Sequence, residues 1–171
     1  MHAFYYFEKI KDFEGQLLVK VCIVYDTRYG NTRRVAEAIL EGVEEIGEVE
    51  AVLVRPEQTE PAEMLECDVI LIGSPNHYGG PTKEIKGFID GLGKVGLEGR
   101  HGAVFDTYLG AGFYEKAVKG MEKRISEKVR GLKLMVPGLS ILVERSKGPI
   151  VEGGLPRCRE FGRRIADQLG I

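Results

Sequence analysis

The stretch YDTRYGNTRRVAEAIL, Tyr25 to Leu40, limits the possible folds of this chain more than any other. It follows the apolar run Val21 to Val24 without a gap, so a buried strand must turn sharply through Gly30 into an amphipathic helix. The first N–H groups of a helix have no partner within it, and the helix dipole favours negative charge there, so strand, loop and helix together form an anion site. Thr27, Asn31 and Thr32 add side-chain donors, and Arg28 adds a charge. The loop matches neither GxxxxGK[ST] nor GxGxxG and has no lysine to reach a terminal phosphate, which suits it to one phosphate monoester. The plainer alternative is a strand-to-helix turn capped by Asn or Thr.

From Leu18 onward, apolar runs alternate with helical patterns. Strands are predicted over Leu18 to Tyr25, Val49 to Val54, Asp68 to Ile72, Gly102 to Asp106 and Leu132 to Val143, the last interrupted at Pro137 and Gly138 because proline cannot donate within a central ladder. Helices are predicted over Thr32 to Ile46, around Ile85 to Leu92, from Phe113 to Val129 and from Pro156 to Leu169, with a brief one at Pro61 to Glu66. Such alternation demands right-handed crossovers and an open parallel sheet with helices on both faces. Ligands of these sheets lie beyond the carboxyl ends of the strands, where the strand order reverses.

Three loops fall at that edge. The first is Thr27 to Thr32. The second, Gly73-Ser74-Pro75-Asn76-His77-Tyr78-Gly79-Gly80-Pro81, combines two adjacent glycines with a tyrosine that can stack on a planar ring and an asparagine that can bond its rim. His77 is weighed as a proton donor against a solvated loop histidine without a partner, and no catalytic residue is assigned. The third, Asp106-Thr107-Tyr108-Leu109-Gly110-Ala111-Gly112-Phe113-Tyr114, sets two glycines among three aromatics; Tyr108 is the stacking candidate, Phe113 is as well suited to the core, and Asp106 either reads a ligand or caps the turn.

Composition narrows the class. With 171 residues, 43% apolar and 29% charged, the chain can bury the core of one globular domain, taken as residues 18–171. A net charge of −2 leaves no electrostatic footprint for nucleic acid. No apolar run is long enough to span a membrane, and the N-terminus lacks a signal-peptide pattern. Cys22, Cys67 and Cys158 are odd in number and form no CxxC pair, so all three are expected as buried reduced thiols in a cytoplasmic protein. Residues 1–17 form an aromatic-rich extension, with Phe4, Tyr5, Tyr6, Phe7 and Phe13, predicted to pack on the domain or on a second copy in a homodimer.

Taken together, YDTRYGNT, GSPNHYGGP and DTYLGAG resemble the phosphate loop and the two ring-flanking loops of the flavodoxin-like family of FMN-binding proteins, over about residues 18–170. The resemblance implies a doubly wound five-stranded parallel sheet of order 2-1-3-4-5, with FMN at the switch point between the first and third strands. It implies that Thr27, Arg28, Tyr29, Gly30, Asn31 and Thr32 surround the FMN phosphate. Pro75, Asn76, Tyr78, Gly79 and Gly80 would line one side of the isoalloxazine, and Thr107, Tyr108, Gly110 and Gly112 the other. The peptide at Gly79 would be the one that changes its hydrogen bond as the ring takes up a proton. Arg28 and Tyr29 depart from the small hydroxyl residues usual in the first loop, there is no tryptophan, and the net charge is milder than that of dedicated flavodoxins.

The implied function is cytoplasmic electron transfer with a redox partner protein, without nucleic acid or membrane. The alternatives are an NAD(P)H-dependent quinone or FMN reductase on the same fold, or a non-redox module for another phosphorylated ligand. A phosphorelay receiver fits poorly, because the first strand ends on Asp26 alone rather than on an acidic pair.

Overall fold

The computed structural model describes residues 14–171. The aromatic cluster of the extension therefore lies outside the described residues. Strands β1 (Val19–Tyr25), β2 (Val49–Val54), β3 (Val69–Pro75) and β4 (His101–Tyr108) are parallel neighbours in the order β2-β1-β3-β4. The fifth position is filled by two short strands, β5 (Lys133–Leu134) and β6 (Leu139–Leu142), each paired with β4. The predicted interruption of that strand is a real break, with a cis peptide at Val136–Pro137. The sheet thus has the expected order 2-1-3-4-5.

Helices α1 (Asn31–Glu44) and α4 (Gly154–Leu169) cover one face, and α2 (Lys83–Gly93) and α3 (Lys116–Lys128) the other. Alternation along each strand sorts the core. Val21, Ile23, Leu71 and Phe105 point to α1 and α4, while Cys22, Val24, Ile70, Ile72 and Val104 point to α2 and α3. Both sets are buried, which explains why the central strands read as continuous apolar runs rather than as alternating ones. The pairing of α1 with α4 is unusually close because a side chain is missing on each: a Cβ at Gly162 would sit 2.0 Å from Ile39 O, and one at Gly42 would sit 2.0 Å from Arg159 O.

Two expectations change. The strands run further than predicted, so Gly73, Ser74 and Pro75 belong to β3, and Thr107 and Tyr108 to β4. Pairing with β4 carries the strand past the point where its hydrophobicity ends. Cys22 and Cys67 are not free thiols but form a disulfide, with their Cα atoms 6.0 Å apart. Residue spacing alone hid this, because Cys67 lies two residues before the start of β3 and the β1–β3 pairing brings it beside Cys22. Cys158 is buried and free as expected, and burial pushes its thiol up to about 12. Three reduced cysteines can therefore no longer support a reducing compartment. Among the described residues no helix is long and apolar enough to cross a membrane.

Candidate functional site

All three loops meet at the carboxyl edge of the sheet around a cleft of about 330 Å³, within the range of small-ligand sites. The first loop is built by its own residues. Asp26, buried at the end of β1, accepts from the Thr27 N–H at 2.9 Å and from Arg55 Nη2 at 2.7 Å, which ties the loop to the chain leaving β2. Thr27 Oγ1 accepts from the Gly30 N–H at 3.0 Å. Gly30 then enters α1 with φ 91°, a left-handed value open to a residue without Cβ, and no side chain caps the helix. The Asn or Thr cap of the plainer alternative is therefore not formed. The first backbone bond is Arg34 N–H to Gly30 O, and among the described residues nothing accepts from the N–H groups of Asn31, Thr32 and Arg33. Those donors are left for an anion.

The second loop is a tight turn in which His77 and Gly80 exchange backbone bonds at 2.8 and 3.3 Å. Its central residues, Tyr78 and Gly79, both have positive φ, 51° and 86°. That is the conformation of a two-residue turn of the primed type, in which glycine at the second place relieves the strain. Asn76 Oδ1 accepts the Gly79 N–H at 3.1 Å, and Tyr78 stands 95% exposed at the tip. His77 is not without a partner: Arg28 Nη2 donates to its Nε2 at 2.7 Å, closing the first loop onto the second. Arginine can only donate, so His77 Nε2 is the acceptor of this bond.

The third loop, between Tyr108 and Glu115, is joined to the others from both sides. Thr107 Oγ1 and Thr32 Oγ1 lie 2.9 Å apart in a buried contact, and Asn76 Nδ2 reaches Phe113 O at 3.5 Å. Tyr108 and Tyr114 pack edge to face at 5.5 Å. Phe113 is half exposed and faces the cleft, not the core.

Thr27, Arg28, Tyr29, Asn31 and Thr32 line the cleft on the first loop, Pro75, Asn76 and Tyr78 on the second, and Thr107 and Tyr108 on the third. Gly30, Gly79, Gly80, Gly110 and Gly112 shape the loops without lining it. Sequence reasoning missed a fourth contributor, Val143, Arg145 and Ser146 beyond β6. Asn31 Nδ2 holds this segment by donating to Ser146 O at 3.1 Å. The signal was available, because any loop that follows the fifth strand must emerge at the same edge. Among the described residues, Arg28 and Arg145 are the charged ones that line the cleft, and no carboxylate lines it. Unpaired N–H groups, two guanidinium groups and a set of aromatics suit a phosphorylated planar molecule, the donor set expected of an FMN site.

Comparison with known proteins agrees. A flavodoxin domain model matches residues 22–140, more than two thirds of the chain. A flavodoxin of Clostridium saccharobutylicum is 34% identical over 89 residues, 52% of this chain and 56% of that protein. An NAD(P)H dehydrogenase (quinone) of Syntrophus aciditrophicus is 31% identical over 117 residues, 52% of this chain and 58% of that protein. The chain thus spans somewhat over half the length of these curated relatives. Among solved structures, oxidised flavodoxin 2 of Bacillus cereus superposes with a TM-score of 0.76 at 29% identity, covering 88% of this chain and 99% of that one. The chain belongs to the flavodoxin family, and FMN is the cofactor that this membership implies.

Proposed function

We propose that the cleft binds FMN and that the protein passes electrons between redox partners through it. The observation that carries this reading is the meeting, in one cleft, of the unpaired first-turn N–H groups of α1 with Arg28, Arg145 and the aromatics of the second and third loops. Thr27, Arg28, Tyr29, Gly30, Asn31 and Thr32 hold the phosphate, and Arg145 and Ser146 close that end from beyond β6. Pro75, Asn76, Tyr78, Gly79 and Gly80 flank one side of the ring, and Thr107, Tyr108, Gly110 and Gly112 the other. Bound FMN supplies reversible electron uptake and release; the chain binds it, orients it and sets its surroundings. Arg28 leaves His77 to engage the phosphate, a stronger, charge-assisted partner. The peptide between Tyr78 and Gly79 presents a backbone polar group to the ring edge.

Purified protein that retains FMN is yellow, and apoprotein titrated with FMN quenches flavin fluorescence to one equivalent. Protein that neither retains nor takes up FMN ends this reading.

A second function, reduction of a quinone or of free FMN by NAD(P)H, is favoured by the arginine-only charge of the cleft, which attracts an anionic dinucleotide. Steady-state NAD(P)H oxidation with a quinone separates it from a carrier that is bleached only by a protein donor. A cytoplasmic setting and a homodimer complete the proposal. Sedimentation with and without residues 1–17 tests the dimer, and thiol labelling in fresh lysate tests whether Cys22 and Cys67 stay bridged in the cell.

A further inference from the structure

The cleft leaves one buried acid without a role. Asp106 is 0% exposed near the end of β4, in register with Ser74 of β3 and Ser140 of β6. The three form a polar row across adjacent strands on the face covered by α2 and α3, one step above the apolar pair Ile72 and Val104. Asp106 Oδ1 accepts from Ser140 Oγ at 2.5 Å, and Oδ2 accepts from the Val118 N–H of α3 at 2.9 Å. Ser140 Oγ in turn accepts from the Glu115 N–H at 3.1 Å. One carboxylate of β4 thus fastens the far end of the third loop, directly at Val118 of α3 and through Ser140 at Glu115.

The loop needs that fastening. Glu115 has φ 56°, a strained value for a residue with a Cβ, which persists only where the surroundings impose it. The first turn of α3 contains no acid, and its N-cap side chain makes no capping bond, so Asp106 supplies the anion at that terminus from across the sheet.

Asp106 is also held at a cost. Burial pushes its carboxyl up to about 6, and Glu115 at the start of α3 adds repulsion, against the bonds from Ser140 and Val118 that favour the charged form. The other elements that meet this row face it with neutral groups: Ser74 from β3, Ser140 from β6, and the Thr82 N–H ahead of α2, which donates to Ser74 Oγ at 3.0 Å. The third loop that this carboxylate fastens carries the cleft-lining Tyr108, Leu109 and Phe113. A buried charge that fastens a cleft-lining loop points to function.

We propose, on the basis of the FMN reading above, that Asp106 is a positioning residue that couples reduction in the cleft to proton uptake: its carboxylate locks the third loop against the cofactor, and its buried charge opposes incoming electrons. When electrons arrive from the donor, a proton from water adds to a carboxylate oxygen of Asp106, and no bond of the chain breaks. Neutralising the acid removes the opposition.

The test is spectroelectrochemical titration of the FMN-loaded protein with dithionite from pH 5 to 8, for wild type, Asp106→Asn and Ser140→Ala. In wild type the potential should rise more steeply than in Asp106→Asn, which lacks the titrating group, as pH falls toward about 6, and should run parallel to it at lower pH. At pH 7.5 the Asn variant should be about tenfold easier to reduce in equilibrium terms. Ser140→Ala removes a bond that favours the anion and should move the break to higher pH; it carries the test alone if Asp106→Asn does not fold. Parallel potential–pH curves for wild type and the variants overturn the coupling, because a purely structural role changes stability but not the slope. Failure of wild type to bind FMN overturns this proposal together with the function it rests on, whereas normal binding with parallel curves overturns only this one.

Discussion

The N-termini of α1 and α3 start from the same local design and end in opposite states. Each follows a strand end and a loop that contains glycine, each has a left-handed N-cap residue, Gly30 at φ 91° and Glu115 at φ 56°, and neither has a side-chain cap or an acid in its first turn. At α3 the vacancy is filled from across the sheet by Asp106, backed by Ser140. At α1 the nearest acid, Asp26, turns instead to Thr27 and Arg55, and the first-turn donors face the cleft. What leaves one terminus open and closes the other is therefore where the strands place a carboxylate. Helix sequence does not decide it.

The largest expected effect comes from the cross-link under the open terminus. The Cys22–Cys67 bridge closes a 45-residue span that contains all of α1 and none of α3. Replacing both cysteines with alanine should lower unfolding stability by about 4 kcal/mol in the loop-entropy picture, measured by urea denaturation. FMN affinity should change less than about threefold, since Cys22 is in the middle of β1 and Cys67 lies before β3, both away from the carboxyl edge. A collapse of affinity would mean that the open terminus depends on the bridge.

Next is the α1–α4 contact. Gly162→Ala places a methyl against Ile39 O and should cost about 3 kcal/mol, at the upper end for overpacking because backbone must move. Unlike loss of the bridge, it should weaken FMN binding too, by tilting α1. Unchanged affinity would show that the open terminus tolerates a shifted helix.

The clamped terminus should answer to pH. The folded value of Asp106, about 6, lies above the ordinary 3.8, so the stability gained by protonating it is complete below about pH 4 and is lost as pH rises through about 6. The gap amounts to about 3 kcal/mol, less about 1 for the charge-assisted bonds that an amide makes less well. Asp106→Asn apoprotein should therefore be about 2 kcal/mol more stable than wild type at pH 7.5 and no more stable at pH 4. Equal melting curves at both pH values would leave α3 clamped by geometry alone.

Smaller effects separate the loops by role. Arg28→Ala should weaken FMN binding roughly tenfold, about 1.4 kcal/mol, and shift the potential little, as should Thr32→Ala. Tyr78→Ala at the exposed turn tip should do the reverse, changing the potential while altering stability by less than about 0.5 kcal/mol. The opposite pattern in paired titrations would undo the division between anchoring and tuning.

Much of this was legible before any coordinates. Apolar runs such as Val21 to Val24 and Asp68 to Ile72, alternating with helical stripes, are enough for a parallel α/β sheet, because both faces of each central strand must be covered. YDTRYGNT announced a helix terminus with open donors at the cleft, because that depends on groups close together in the chain, N–H donors and hydroxyls within one turn. What was not legible depends on register. The parallel pairing of β1 with β3 sets Cys67 beside Cys22, the emergence of β6 brings Arg145 to the cleft, and the β3–β4–β6 register aligns Ser74, Asp106 and Ser140. Local sequence determined where a phosphate can bind, since the helix terminus carries its own donors. Only the tertiary structure decided which terminus stays open and which acid is buried beneath the neighbouring loop, because strand pairing joins residues that no spacing along the chain relates.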